Sequence, residues 1–169
     1  MAGLSARGPV GATRRALLAA ACAAAAALPA AAQGDAPPNA FIEVVPTGGQ
    51  APVRIAAAHV VRVARAEGYT VIDTTAWVQQ RTTESVEAIA RRLAAAGQRL
   101  VVLTDLRDAR TYLAADRVVL VREAYEQHAA GARATVVMVG LRFNTDIAVR
   151  ETVEEVMAVL GRTAAGTTR

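Results

Sequence analysis

The sequence predicts an α+β fold: two tandem small β-rich modules, each ending in an amphipathic helix, packed as a pseudo-dimer. Three observations carry that expectation. Ile55 to Ala66 (IAAAHVVRVARA) returns as Leu113 to Ala124 (LAADRVVLVREA), 58 positions later, with six of the twelve residues identical. The flanks repeat as well. Ile42 and Val44 fall on Leu100 and Val102 at the same offset, and Glu84-Ser85-Val86-Glu87 returns as Glu151-Thr152-Val153-Glu154, now 67 positions on. The change of offset implies a nine-residue insertion in the second copy, most simply within Tyr125 to Arg133. Finally, near its end each copy changes from short β-branched runs to apolar residues at helical spacing.

Taken in order, residues 1–32 read as a secretory signal. Arg14-Arg15 close a basic stretch, Ala16 to Leu28 is apolar, Pro29 breaks the run, and Ala30-Ala31-Ala32 offers an A-x-A cleavage site before Gln33. The apolar run is shorter than the ~20 residues of a spanning helix. Thr13-Arg14-Arg15-Ala16-Leu17-Leu18 resembles part of a twin-arginine signal. Cys22 lacks the large apolar residue three positions earlier that a lipidation site requires, since Ala19 stands there. A periplasmic or secreted location follows, with no membrane span after cleavage. Residues 33–40, with Gly34, Pro37 and Pro38, read as a linker.

The first module spans residues 41–97. Phe41 to Val45 and Pro52 to Ile55 read as strands around a turn at Pro46 to Gln50, whose glycines are free to take positive φ. His59 to Ala64 is rich in β-branched valines that suit a pleated surface. Glu67-Gly68 marks a turn, and Thr70 to Asp73 and Trp77 to Thr82 read as a hairpin. Val86, Ile89, Ala90 and Leu93 then fall on one face of a helix, with Arg91 and Arg92 near its C-terminus and Gly97 as its stop.

The second module spans residues 98–162 in the same order. Its strands are Leu100 to Leu103, Thr111 to Leu113, Arg117 to Arg122, Thr135 to Val139 and Ile147 to Val149, with a longer connection at Tyr125 to Arg133. Val153, Val156, Met157 and Leu160 form the face of a closing helix that starts with a capping box at Thr152-Val153-Glu154-Glu155 and ends at Gly161. Residues 163–169 are a polar tail.

Composition narrows the function. Without Arg7, Arg14 and Arg15 of the signal, 16 arginines face 15 acids, a net of +1, so no general polyanion field is expected. The chain has no lysine, and its only cysteine lies in the signal, which excludes disulfides, thiolate nucleophiles and Cys-based zinc sites from the mature protein.

The second copy, LTDLRDARTYLAADRVVLVREA and then ATVVMVGLRFNTDIAVRETVEEVMAVL, resembles the small FlbD-like proteins of flagellar and swarming operons. Leu113 to Val118, Thr135 to Val137 and Glu151 to Val156 match their pattern, as do Ile55 to Val60, Thr70 to Ile72 and Glu84 to Glu87 in the first copy. The strand order is also similar to LytTR-type DNA-binding domains. The resemblance implies a β-rich module with a terminal helix. FlbD-like proteins are single cytoplasmic modules, whereas this chain is doubled and carries an export signal, so a role in motility does not follow from the resemblance alone.

No catalytic, cofactor or metal constellation is expected. His59 and His128 have no His, Cys or carboxylate at ligand spacing, and Asp105 and Asp108 read as turn residues bonding their own backbone. The Walker, G-x-S-x-G and G-x-G-x-x-G patterns are absent. Trp77, Gln79 and Arg81 would share one face of a strand, with Arg81 against the indole. Trp77 is expected to pack at the junction of the modules; the alternative is a partly exposed contact platform. Its counterpart at the later offset is Asn144, beside Phe143. Trp77, Gln79, Arg81 and Phe143 are therefore the candidate partner-binding residues. The expected function is a non-enzymatic binding or assembly module of the bacterial envelope, with an envelope protein as partner and no nucleic acid. The alternatives are a LytTR-like cytoplasmic regulator, which requires that the N-terminus is no signal, and an enzyme of unrecognised type.

Overall fold

A computed structural model of the chain describes residues 40–125, 130–143 and 145–165. The signal, nearly all of the linker, His128, Asn144 and residues 166–169 lie outside them. Ten strands and two helices are present: β1 (Phe41–Val44), β2 (Val53–Ala56), β3 (Val60–Ala66), β4 (Tyr69–Thr74), β5 (Gln79–Thr82), α1 (Val86–Ala95), β6 (Leu100–Thr104), β7 (Arg110–Ala114), β8 (Val118–Glu123), β9 (Ala134–Met138), β10 (Asp146–Val149) and α2 (Val153–Ala165). The chain is a β-rich α+β fold in which five strands and a helix occur twice in the same order.

The repetition extends to the hydrogen bonds. A single 3₁₀ turn, Ala57–His59 in the first half and Ala115–Arg117 in the second, joins β2 to β3 and β7 to β8. The Ala57 amide donates to the Ala40 carbonyl at 2.8 Å, and the Ala115 amide to the Arg99 carbonyl at 2.9 Å. The β3–β4 ladder shifts register between Val60 and Arg62, and the β8–β9 ladder between Val118 and Leu120. A carboxylate before each helix accepts from the backbone at the end of the first strand of its half. Val45 N–H donates to Glu84 Oε1 at 3.0 Å, and Thr104 N–H to Glu151 Oε1 at 2.8 Å.

Two details of the repeat differ from the sequence expectation. The first is in the opening strand. Ile55 pairs with Ile42 and Leu113 pairs with Val101, so Ile42 corresponds to Val101 and Val44 to Leu103. The turn of the second half is one residue shorter, and a one-residue slip exchanges the two faces of a strand. Val102 is accordingly 40% exposed. The second is the insertion, which is divided. Ala66 opposes Tyr69 across the β3–β4 turn, whereas Ala124 N–H reaches the Arg133 carbonyl across the β8–β9 connection, six residues longer. Asp73 opposes Gln79 and Val137 opposes Asp146, three residues longer.

The strands form three antiparallel sheets: β1-β2, β10-β9-β8, and a five-stranded sheet β5-β4-β3-β7-β6. The large sheet draws on both halves, because β7 pairs with β3 through Arg62↔Leu113 and Val63↔Tyr112. Two apolar clusters flank it. One gathers Ile42, Val44, Val60, Val63 and Ile72 with Val86, Ile89 and Leu93 of α1. The other gathers Val101, Leu103, Leu113, Val136, Met138, Ile147 and Val149 with Val156 of α2, and it also takes Val61 from β3. The register shift in β3 puts Val60 and Val63, three residues apart, in the first cluster and leaves Val61 in the other.

Both helices begin as the sequence predicts. Ser85 Oγ accepts from the Ala88 amide at 3.2 Å. In α2, Thr152 N–H donates to Glu155 Oε2 at 2.8 Å while Thr152 Oγ1 accepts from the Glu155 amide at 3.2 Å, a reciprocal capping box. The neighbouring Glu154 carboxyl is held below its ordinary pKa, first by its own backbone amide and then by the Thr152 side chain. Val86, Ile89, Ala90 and Leu93 are all buried on α1. Among the residues of α2 whose burial is described, only Val156 is fully buried; Val153 and Leu160 are half-buried, and Met157 is 53% exposed, not a core residue. Gly97, at φ +85°, stands just past α1. Gly161 does not stop α2, which runs on to Ala165, because a glycine with helical φ costs only about 1 kcal/mol inside a helix. No helix among the described residues is long and apolar enough to cross a membrane.

Candidate functional site

The site grows from one face of the five-stranded sheet. Gln79 opposes Asp73, Arg81 opposes Val71, Asp73 opposes Arg62 and Val71 opposes Ala64. These six residues therefore lie on one face. Across the β7–β6 half, the same face is covered by the second apolar cluster. Across the β3–β4–β5 half it is open, and the β9–β10 connection forms a wall beside it.

At one end of the open half lies a cleft of about 320 Å³ lined by Arg62, Asp73, Trp77, Gln79, Leu141, Arg142 and Phe143, with Thr74 and Val78. Its floor is an ordered polar group. Arg62 Nε donates to Asp73 Oδ2 at 2.7 Å, and Gln79 Nε2 donates to Asp73 Oδ1 at 3.0 Å, so both oxygens of this nearly buried carboxylate are engaged. Its rims are aromatic. Trp77 is 65% exposed on the β4–β5 connection and Phe143 71% exposed on the β9–β10 connection. The Arg142 guanidinium lies 4.9 Å from the Phe143 ring centre.

Trp77 is not part of a strand. It sits in the turn that precedes β5, where its amide donates to the Thr74 carbonyl at 3.0 Å and the Thr74 amide donates to the Val78 carbonyl at 3.1 Å. Closing that tight loop puts Trp77 in the left-handed region, at φ +62°. Glycine or asparagine ordinarily occupies such a turn position. The structure thus brings Trp77, Gln79 and Phe143 together at one cleft, but through a turn rather than through strand alternation. Gln79 and Arg81 do share a face. Arg81, however, lies over the Tyr69 ring at 5.0 Å and not against the indole. The high exposure of Trp77 also rules out a packed position at the junction of the halves.

Sequence reading missed Arg62 and Asp73. Pairing Arg62 with Asp73 across the Glu67-Gly68 turn would have found them, since that turn fixes which residues of β3 and β4 are opposed. His59, Asp105 and Asp108 each bond within the fold. His59 Nδ1 lies 2.8 Å from Thr75 Oγ1. Asp105 Oδ1 accepts from the Arg107 and Ala109 amides at 2.9 and 2.8 Å, and Asp108 pairs with Arg150 at 2.9 Å. Among the described residues, no three His, Cys, Asp or Glu side chains stand close enough together to hold a metal ion. Searches against known protein families, characterised proteins and solved structures find no match to this chain.

Proposed function

We propose that the chain is an exported, non-enzymatic protein-binding or assembly module of the bacterial envelope, with the Trp77–Phe143 cleft as its partner-facing site. The supporting observation is Trp77 itself. A left-handed backbone costs a side-chain-bearing residue about 1–2 kcal/mol, and glycine would serve the turn without that cost. Trp77 is exposed as well, so the strain is not offset by burial in the core. Strained, exposed aromatics are explained best by what they meet outside the chain. The proposal includes the finer architecture: two copies of one module, similar to the FlbD-like proteins, standing as a pseudo-dimer. It includes cleavage before Gln33, and it assigns no catalytic role.

A second reading, a LytTR-like nucleic-acid binder, draws on the arginines along the open sheet face. It requires a cytoplasmic chain.

The test has two parts. The full chain is expressed in a bacterial host, fractionated, and its N-terminus sequenced. A photo-crosslinking residue then replaces Gln79 in the cleft or, as a control, Arg91 on the exposed face of α1. The expected result is a periplasmic chain beginning at or near Gln33 that crosslinks to an envelope protein from position 79 only, with the crosslink lost in Trp77→Ala. An uncleaved cytoplasmic chain, or equal crosslinking from both positions, overturns the proposal.

A further inference from the structure

We propose that the cleft is one end of a longer trough that takes an extended acidic peptide carrying a large apolar side chain at its Trp77 end. This inference rests on the reading of the chain as a protein-binding module and names the chemistry of the partner. The trough follows from shared walls. Arg62 and Gln79 line both the aromatic cleft and a second hollow of about 350 Å³, and Arg65, Ala66 and Arg107 line both that hollow and a third of about 430 Å³. The three hollows therefore run one into the next along the open sheet face, from Trp77 to the β3–β4 turn. Each is open to solvent. A long shallow trough fits an extended chain better than a compact small molecule, which needs an enclosed pocket.

The charges choose the peptide. Arg65, Arg107 and Arg142 are exposed, and none has an acidic partner within 4 Å among the described residues. The acids along the trough are largely engaged: Asp73 by Arg62 and Gln79, and Asp105 by two backbone amides. Among the described residues, Glu67 at the far end has no such partner. Apart from Glu67, the uncompensated groups are thus cationic, Arg65, Arg107 and Arg142, and they are spaced along the trough, which suits carboxylates on an extended chain. At the other end, Trp77 and Phe143 present apolar rings to a large side chain.

The probes are short fluorescein-labelled peptides, read by anisotropy against the full chain. One is rich in glutamate with a tryptophan near one end, one has every glutamate replaced by glutamine, one is rich in arginine, and a thymidine oligonucleotide serves as the nucleic-acid probe. The acidic peptide should bind, and binding should weaken with added salt. R65Q/R107Q should weaken it by about tenfold. Trp77→Gly should weaken it at least as much while keeping or raising the melting temperature, so a folding defect cannot account for the loss. Equal binding of the glutamine peptide, or binding of the oligonucleotide alone, overturns the inference. If the glutamine or arginine peptide binds instead and the binding is lost in Trp77→Gly, the acidic chemistry fails but the binding role stands. If no peptide binds and the position-79 crosslink is also absent, both fail.

Discussion

Strands β3 and β8, VVRVARA and VVLVRE, share three valines at the same places, yet they meet different neighbours. Each follows a 3₁₀ turn, and each shifts register at the same place. β3 lies between β4 and β7, and Val61 is fully buried. Among the described residues β8 is paired on one side only, by β9, and its counterpart Val119 is 67% exposed, with Leu120 at 46%. One valine, in one local conformation, is core in one half and surface in the other. Burial here is set by whether another part of the chain covers that face, as the second apolar cluster covers Val61, not by the strand's own residues.

The largest test of that contrast is a matched pair. Val61→Asp places an unpaired charge in the second apolar cluster and should cost more than about 4 kcal/mol, enough to abolish cooperative unfolding. Val119→Asp should stay within about 0.5 kcal/mol of wild type. Similar urea midpoints for the two variants would mean that β8 is covered in solution. A smaller effect is expected at Gly140, where φ is +94° and an added Cβ would lie 3.1 Å from the Val61 side chain and 3.2 Å from Thr75. Gly140→Ala should lose about 1–2 kcal/mol, through backbone strain and displacement of the side chain that distinguishes β3 from β8. An unchanged melting curve would show that the β9–β10 connection does not press on β3. The smallest contrast is between the two carboxylates. Glu84 accepts from Val45 N–H and also pairs with Arg92, which in turn donates to the Glu43 carbonyl, whereas Glu151 accepts both its bonds from Thr104 N–H. Replacement of either by Gln keeps one acceptor and should cost about 1 kcal/mol, with Glu84→Gln the more damaging because Arg92 loses a charged partner. Equal losses would mean that Arg92 adds nothing.

Much of this was legible in the residues. The Val86/Ile89/Leu93 face, the capping box at Thr152 and the ten-strand order follow from local chemistry, which a single sequence carries. The turn at Trp77 was not legible, because a tryptophan at a left-handed position contradicts its own propensity. The correct register of β6 escaped as well: Leu100 and Val102 are as apolar as Val101 and Leu103, and only the length of the Asp105-Leu106-Arg107-Asp108 turn decides between them. The β3–β7 pairing and the trough were beyond reach, since they depend on two segments some fifty residues apart meeting at one edge. The candidate site was half legible. Exposed aromatics could be singled out one by one, but the Arg62–Asp73 floor that joins them needed the register of two strands.

The β3–β7 pairing also has a consequence in time. Arg62 and Val63 find their partners at Leu113 and Tyr112, so as the chain is synthesised β3 exists long before the strand that covers it. Until then its outer edge has unpaired N–H and C=O groups, and Val61 has no cluster to enter. During that interval the nascent first half offers any passing strand the edge that β7 will later occupy. A pause in translation before β7 has emerged would therefore lengthen the window for mispairing, and a pause after it has emerged would not.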